Sequence, residues 1–467
     1  MSSHLGSGNA TLVTGVPQLV EHHARGEKPR EAWRIGTEHE KFAFSRGLEP
    51  LQYRGAPGVP GSIGIVNLLE GMQTCCGWQP LVDHGELIAL ESNEGAISLE
   101  PGGQVELSGQ ARSTIHETKV ELDRHVSELE RLTAELGVRW MWLGAHPVHQ
   151  PSDLGFMPKR RYAVMREYLP TRGTLALHMM QATSTVQANL DYGSERDMGD
   201  KMRAAMGLSS IVTAMFANSP FQSGKPSGLK TFRAQVWGDT DNDRSGLLPF
   251  VFAGETPSYE QYVRWALDVP MFFIVRGGEL LPTRGATFRD IWDRGFQGHQ
   301  ATMEDWELHL STLFPDVRMK TYLETRTTDC VPPRFIPALP ALWKGILYSD
   351  SAVAAAWDLT KRWSFSERQQ HRQDVPKDAL DTAIPGSRGK TVDLAREVMA
   401  IAQGALAEQA KAGGYADEAI YLEPLNELLR RGWCPADEVL AKWRPSMTPK
   451  DLIGALVEPA AAAAQSS

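Results

Sequence analysis

The sequence predicts an α+β fold: an antiparallel β-sheet flanked by helices, followed by a helical C-terminal third. Three observations carry this reading. Stretches with period-two alternation, the mark of a strand whose two faces differ, recur at residues 34–44, 97–107, 183–191 and 318–326. Between them, Leu122, Val126, Leu129, Leu132 and Leu136 form the apolar stripe of a long amphipathic helix. Beyond residue 338 the pattern turns helical, with segments at 338–347, 351–361, 392–411, 424–431 and 436–443. No internal repeat and no long linker interrupts the chain, so residues 16–455 read as a single domain.

Residues 1–15 and 456–467 lack a hydrophobic period that would dock them and are expected to be flexible. In the strand at 34–44, Glu38 and Glu40 share one face, and His39 and Lys41 the other. The Gly/Pro-rich run at 55–64 is a loop. Its Gly58, Gly61 and Gly64 are accompanied by no lysine and follow no strand, which argues for a turn rather than a phosphate cradle. Residues 97–107 read as two short strands around Pro101-Gly102-Gly103, with Glu100 before the turn and Gln104 and Glu106 on one face after it. Thr114 and Glu117 fit a capping box that opens the long helix, and Gly137 closes it. Strand pattern returns at 138–143.

Met157-Pro-Lys-Arg-Arg-Tyr162 is a basic loop entering a helix. At 183–191 strict alternation places Thr185, Gln187, Asn189 and Asp191 on one face, and a helix follows over 195–216. Residues 232–237, read as strand, lead into an acidic loop at 238–246. Asp239, Asp241 and Asp243 imitate a calcium loop, but Arg244 stands where the turn needs glycine and Phe250 where the closing glutamate belongs. The apolar run at 269–275 is a buried strand or interior segment. Residues 318–326 read as one strand with Glu324 and Arg326 on a shared face.

Composition bounds the function. The 467 residues are 42% hydrophobic and 22% charged, as in ordinary globular proteins, and the net charge of −9 disfavours a nucleic-acid surface. No apolar run is long enough to span a membrane, and no secretory leader is visible. The four cysteines, Cys75, Cys76, Cys330 and Cys434, form no C-x-x-C. The adjacent Cys75 and Cys76 are poor candidates for a mutual disulfide, so inert thiols in a reducing cytoplasm are expected.

Several strands thus offer polar groups at i and i+2: Glu38 and Glu40, Glu100 with Gln104 and Glu106, Gln187 and Asn189, Glu324 and Arg326. One such pair is ordinarily a solvated strand face. Several of them, interleaved with apolar strands, predict a sheet with one apolar face and one crowded with carboxylates. Divalent cations relieve that crowding, and an all-oxygen set containing an amide points to Mg²⁺ or Mn²⁺. Arginines nearby suit carboxylate and phosphoryl recognition. Arg160 and Arg161 read equally as solvated loop or substrate contact, Arg326 equally as a salt bridge to Glu324, and Trp237 equally as core. Neither a P-loop nor a nucleophile elbow is present.

The stretches Arg34-Ile-Gly-Thr-Glu-His-Glu-Lys-Phe42, Ser98-Leu-Glu-Pro-Gly-Gly-Gln-Val-Glu-Leu-Ser108, Met157–Tyr162, Thr185-Val-Gln-Ala-Asn-Leu-Asp191, Phe216-Ala-Asn-Ser-Pro220 and Leu247-Leu-Pro-Phe-Val-Phe252 closely resemble glutamate–cysteine ligases of the plant and proteobacterial type. The resemblance runs from about residue 15 to 445 with the motifs in family order. It implies a glutamine-synthetase-like sheet shaped as a funnel, with ATP and Mg²⁺ at one end and amino acids at the other. It also implies the reaction: ATP phosphorylates the γ-carboxylate of L-glutamate, and the amine of L-cysteine displaces the phosphate to give γ-glutamylcysteine.

Carried over position by position, the resemblance makes Glu38, Glu40, Glu100, Glu106 and Glu324 candidate Mg²⁺ ligands, with Gln187 supplying an amide oxygen. Arg326 and Glu38 are the candidate catalytic residues, Arg326 for the transferring phosphoryl group. Arg161 and Arg233 suit substrate carboxylates, and Thr185 and Trp237 the amino-acid end. Glutathione as a feedback inhibitor is implied only by resemblance. Plant members carry regulatory cysteine pairs, but residues 295–304 and 334–339 contain no cysteine here, so no disulfide switching is expected. Two other readings compete: a glutamate carboxylate–amine ligase with a different amine acceptor, and a silent metal-binding scaffold.

Overall fold

The computed structural model describes residues 10–457, and a nine-stranded sheet lies at its centre. Its strands are β1 (Ile35–Phe44), β2 (Gln79–Asp83), β3 (Glu86–Ser92), β4 (Gly95–Leu99), β5 (Val105–Gly109), β6 (Arg139–Met141), β7 (Val186–Leu190) and a hairpin of Val317–Met319 with Leu323–Thr325. The order is hairpin, β7, β1, β5, β4, β3, β2, with β6 on the far end of β1. Every pairing in it is antiparallel.

Register decides which side chains meet. Glu40 lies opposite Glu106, and Glu38 lies opposite both Ser108 and Gln187. Ser98 faces Glu106, Glu324 faces Asn189, and Arg318 faces Glu324. Directly opposed residues project from the same side of a sheet, so these pairs line one polar face. On the other face Ile97 meets Leu107, and His39 lies between Leu107 and Val186. The helix Ile115–Leu136 packs there, with the Thr114–Glu117 capping box formed and Gly137 left-handed at its end. Lys41, fully buried, reaches His125 of that helix, Nζ to Nε2 2.7 Å.

The helical third follows the sequence reading, with helices Ala338–Leu347, Asp350–Thr360, Thr391–Gly413, Glu423–Arg430 and Pro435–Lys442. Ala338–Leu347 is buried along its whole length, against β7 and the Thr391–Gly413 helix. Among the described residues no helix is long and apolar enough to cross a membrane.

Several expectations need correction. Residues 318–326 are two strands, because the chain reverses at Lys320–Tyr322 without any Gly, Pro or Asn to signal it. Phe232–Gly238 is a helix capped by Thr231, so Arg233 does not sit on a strand. The run at 269–275 is the buried interior segment expected, and its end is strand, Phe273–Arg276 pairing with Glu279–Pro282 outside the main sheet. The helix Phe365–Asp378 was not legible because its buried side presents Arg368 and His371 beside Val375 and Pro376, leaving no apolar period. Cys75 and Cys76, expected as separate thiols, are joined sulfur to sulfur where Gly77 ends the helix Ile65–Cys76. Cys330 and Cys434 are buried thiols.

The expected flexible ends lie mostly outside the described residues. Within them, Leu12 bridges Thr302 and the Val13 amide donates to Ala301 O (3.0 Å), so residues 12–13 are docked. Near the other end, Leu452, Ile453 and Leu456 pack against Phe42 and Phe44.

The Pro101-Gly102-Gly103 turn matters for the site because Glu100 opens it. The Glu100 amide donates to Gln104 O (2.9 Å), and Gln104 Nε2 ties the turn to Thr183 O (2.7 Å). A Cβ on Gly102 would lie 2.1 Å from Gln181 O. Gly102→Ala is therefore expected to destabilise the protein by about 2 kcal/mol through a backbone shift, read as a lowered urea midpoint with an unchanged m-value.

Candidate active site

The polar face carries two acidic groups. The first is Glu40, Glu106 and Glu100, from β1, β5 and the turn after β4. All three side chains are buried, Glu106 to 1% exposure. Glu40 is fixed by a reciprocal contact across to residue 185: the Thr185 amide donates to its Oε2 (3.1 Å), and its own amide donates to Thr185 O (3.0 Å). Ser108 donates to Glu106 Oε1. Burial, then Glu100 and Glu106, push the Glu40 carboxyl well above the usual range, with Arg233 opposing. Burial and Glu106 push Glu100 up to about 7, against Lys159 and Arg161. Three carboxylates in a dry site cannot all ionise without a cation.

The basic loop supplies some of that charge. Lys159 is buried, which lowers its ammonium to about 8 against the pull of Glu100 and Glu106. Its partnership with the acids is not legible in the sequence, where a lysine in a basic loop is ordinarily solvated. Of those, Arg161 turns inward and is buried. Arg160 turns outward, donating to Gly278 O at 2.7 Å. Tyr162, on the helix Arg160–Tyr168, anchors the loop by donating to Leu99 O (2.8 Å).

The second group is Glu38 and Glu324. Glu38 is half-buried and accepts from Asn189 Nδ2 (2.9 Å). Glu324 is fully buried among three cations: Arg318 Nη2 reaches both its oxygens at 2.7 Å, Lys320 lies at 3.0 Å, and Arg326 Nη1 completes the set. Burial alone would raise this carboxyl; Arg318, Lys320 and Arg326 instead hold it well below its usual range. Arg326 Nη1 also donates to Gln187 Oε1 (3.1 Å). The structure thus gives Arg326 the salt bridge that was one of its two sequence readings.

Beyond Arg326 the face opens into a pocket lined by Arg233, Trp237, Phe314, Asp316, Arg326 and Arg372, among others. Arg233 is placed by its helix, its amide accepted by Ser219 Oγ (3.1 Å), and its Nη2 donates to Arg326 O (2.9 Å). Arg233 Nε and Trp237 Nε1 are buried donors with no partner among the described residues, as expected where a ligand's oxygens belong. Trp237 is both of its sequence readings at once, packing edge-on to Phe314 while lining the pocket. Thr185 is not among the lining residues; its hydroxyl donates to Thr328 O (2.7 Å), so its part is to hold β7 and Glu40.

The six residues expected to bind metal therefore divide, with half-buried Glu38, bonded only through Asn189 Nδ2 among the contacts above, standing between two sets. Glu40, Glu100 and Glu106 fit a hard cation in their all-oxygen chemistry and in the mutual repulsion that such a cation would relieve. They are not converged as ready-made ligands: no three His, Cys, Asp or Glu side chains among the described residues form a metal-ligating arrangement. Glu324 and Gln187 fit less well, because guanidinium groups already occupy their oxygens.

Comparison with known proteins agrees with this architecture. The model of a family described as glutamate-cysteine ligase family 2 matches residues 34–458. A chloroplastic glutamate–cysteine ligase of Nicotiana tabacum is 41% identical over 439 residues, covering 92% of this chain and 81% of that protein. The chloroplastic glutamate–cysteine ligase of Arabidopsis thaliana is 40% identical over the same shares. A solved structure of glutamate–cysteine ligase from Francisella tularensis in complex with AMP superposes with a TM-score of 0.50 at 10% identity, covering 93% of this chain and 89% of that one; it bears on the fold alone.

The raised Glu100 carboxyl has a measurable sign. An unfolded glutamate titrates near 4.3, so between that pH and about 7 the folded chain keeps a proton that the unfolded chain has released. The stabilisation is complete below the unfolded value and disappears as pH rises through about 7. Metal-free protein should lose up to about 1.4 kcal/mol per pH unit across this window from Glu100. Chemical denaturation of Glu100→Gln between pH 5 and 8 should show a correspondingly flatter profile.

Proposed function

This chain belongs to glutamate–cysteine ligase family 2, and from that membership we propose that it joins the γ-carboxylate of L-glutamate to the amine of L-cysteine. The product is γ-glutamylcysteine, so the reaction is the first step of glutathione biosynthesis. The observation that best supports it is that the buried acids Glu40, Glu100 and Glu106 meet, through Arg233 beside Glu40, a pocket whose buried donors, Arg233 Nε and Trp237 Nε1, lack partners among the described residues. One end suits cation and nucleotide phosphate, the other a carboxylate-bearing substrate.

A carboxylate is a poor acyl donor until phosphorylation gives it a leaving group, and ATP is the proposed phosphoryl source. Glu40, Glu100 and Glu106 would hold Mg²⁺, with Glu38 adjoining them, while Glu324 and Gln187 are taken up by arginine; the cation would supply screening of phosphate charge. Lys159 and Arg161 stand beside the acids and add positive charge facing that end. Arg326, held between Glu324 and Gln187, keeps its guanidinium fixed, a preorganised donor for the transferring group. Arg233 and Trp237 would take substrate carboxylate oxygens, which aligns the donor before attack. The cytoplasmic location read from the sequence and glutathione feedback belong to the same proposal; the plant relatives are chloroplastic by name.

An ADP-release assay with glutamate, Mg²⁺ and a panel of amines tests this reading. Release that requires glutamate and is stimulated most by cysteine is expected. Best stimulation by another amine would make the chain a ligase of different acceptor. Glu38→Gln should keep the wild-type circular dichroism spectrum and melting temperature while turnover falls below about 1%. Near-normal turnover in that variant would remove Glu38 from the catalytic set.

A further inference from the structure

The pocket beyond Arg326 contains a charge pair that the proposed chemistry has not used. Among the described residues Asp316 is the one carboxylate that lines it, beside the guanidinium groups of Arg233, Arg326 and Arg372. It is buried. Arg372 grips it with two parallel contacts, Nε to Oδ2 and Nη2 to Oδ1, each 3.0 Å, and Ser209 Oγ donates to Oδ2 at 3.1 Å. Its backbone is tied to the same wall, since the Arg326 amide donates to Asp316 O (3.1 Å).

We propose that Asp316 reads the α-ammonium of the glutamate donor, and that Arg372 is the positioning residue that presents it. The inference rests on the ligase reading and specifies its donor site. Lone-pair arithmetic supports it: an ionised carboxylate offers about four acceptor sites, and the contacts above use two on Oδ2 and one on Oδ1. The remaining site belongs to an oxygen of a pocket-lining residue. Charge sign agrees, because glutamate, with two carboxylates and one ammonium, is a net anion, and the pocket, with three guanidiniums and one carboxylate, is net positive.

Chemistry chooses between the two amino acids. The amine of cysteine must give up its proton and attack with its lone pair, so holding it as an ammonium against a fixed carboxylate would oppose the reaction. The α-amine of glutamate is a spectator and stays charged throughout. Arg372 comes from the helix Phe365–Asp378, outside the sheet. Its neighbour His371 fixes that helix by bonding Ser210 Oγ and Thr391 Oγ1, each at 2.8 Å. Asp316 is thereby oriented by the protein's own contacts, ahead of any substrate.

Glutarate, which is glutamate lacking only its α-amino group, probes this directly as a competitive inhibitor of glutamate in the ADP-release assay. In the wild-type enzyme its Ki should exceed the glutamate KM by about 10- to 100-fold, the worth of one charged hydrogen bond. In Asp316→Asn the glutamate KM should rise by that factor toward the glutarate Ki, with the glutarate Ki and the cysteine KM within about threefold of wild type. Arg372→Met should reproduce the effect and Arg372→Lys should restore part of it. Wild-type turnover with a glutarate Ki equal to the glutamate KM would overturn the proposal without any variant. So would a loss of affinity in Asp316→Asn shared equally by glutamate and glutarate, or one confined to cysteine. A wild-type enzyme without glutamate-dependent ADP release would instead overturn the ligase reading itself.

Discussion

Everything on the polar face depends on one electrostatic constraint, the cost of taking carboxylates out of water. Glu324 meets it with protein cations: Arg318 and Lys320 arrive through a hairpin, and Arg326 through the next turn of chain. A buried carboxylate so surrounded holds the strand ends in place, and removing any partner would leave uncompensated charge. Glu40, Glu100 and Glu106 meet the constraint only partly. Lys159 stands near them, but two of the three carboxyls are still pushed upward. The first arrangement is complete within the chain, whereas the second is one that a cation from outside would complete.

The back of the sheet solves a related problem differently. Lys41 and His39 leave β1 on the face opposite Glu38 and Glu40, into a space closed by the helix Ile115–Leu136 and Trp142. Burial lowers both groups, Lys41 to about 7, and His125 accepts or shares the Lys41 contact. Cys330 donates its thiol to Glu40 O (2.9 Å), so even the backbone beneath the acid group is tied from behind. The strand is thus held on both faces by polar contacts in a dry setting, which limits how far Glu40 can move. Loop and helix elements then bring further polar side chains to this region: Arg161 through the basic loop, Arg233 and Trp237 through a seven-residue helix.

Much of this was legible in the chain. Period-two alternation put Glu38 with Glu40 and Gln187 with Asn189, and strand register places each pair on the polar face. The capping box at Thr114 and the glycine at 137 set both ends of the longest predicted helix of the first half. These are local rules, in which side-chain direction follows from backbone period. They failed where local signals were missing or misleading: at the Lys320–Tyr322 reversal, in the helix whose buried side carries Arg368 and His371, and at residues 232–238, where a Thr cap outweighed a strand-like pattern.

The sequence by itself determined the inventory: which carboxylates, amides and arginines are available, on which faces of which strands, and the family they resemble. Only the tertiary structure decided their partners. It set Glu40 against Glu106, gave Glu324 to three cations, turned Arg161 inward and Arg160 outward, brought Lys159 to the acids, and joined Asp316 to Arg372 across 56 positions of sequence. The physical reason is that electrostatic and hydrogen-bond energies depend on distance and burial, which strand register and helix docking fix. A one-dimensional pattern records neither.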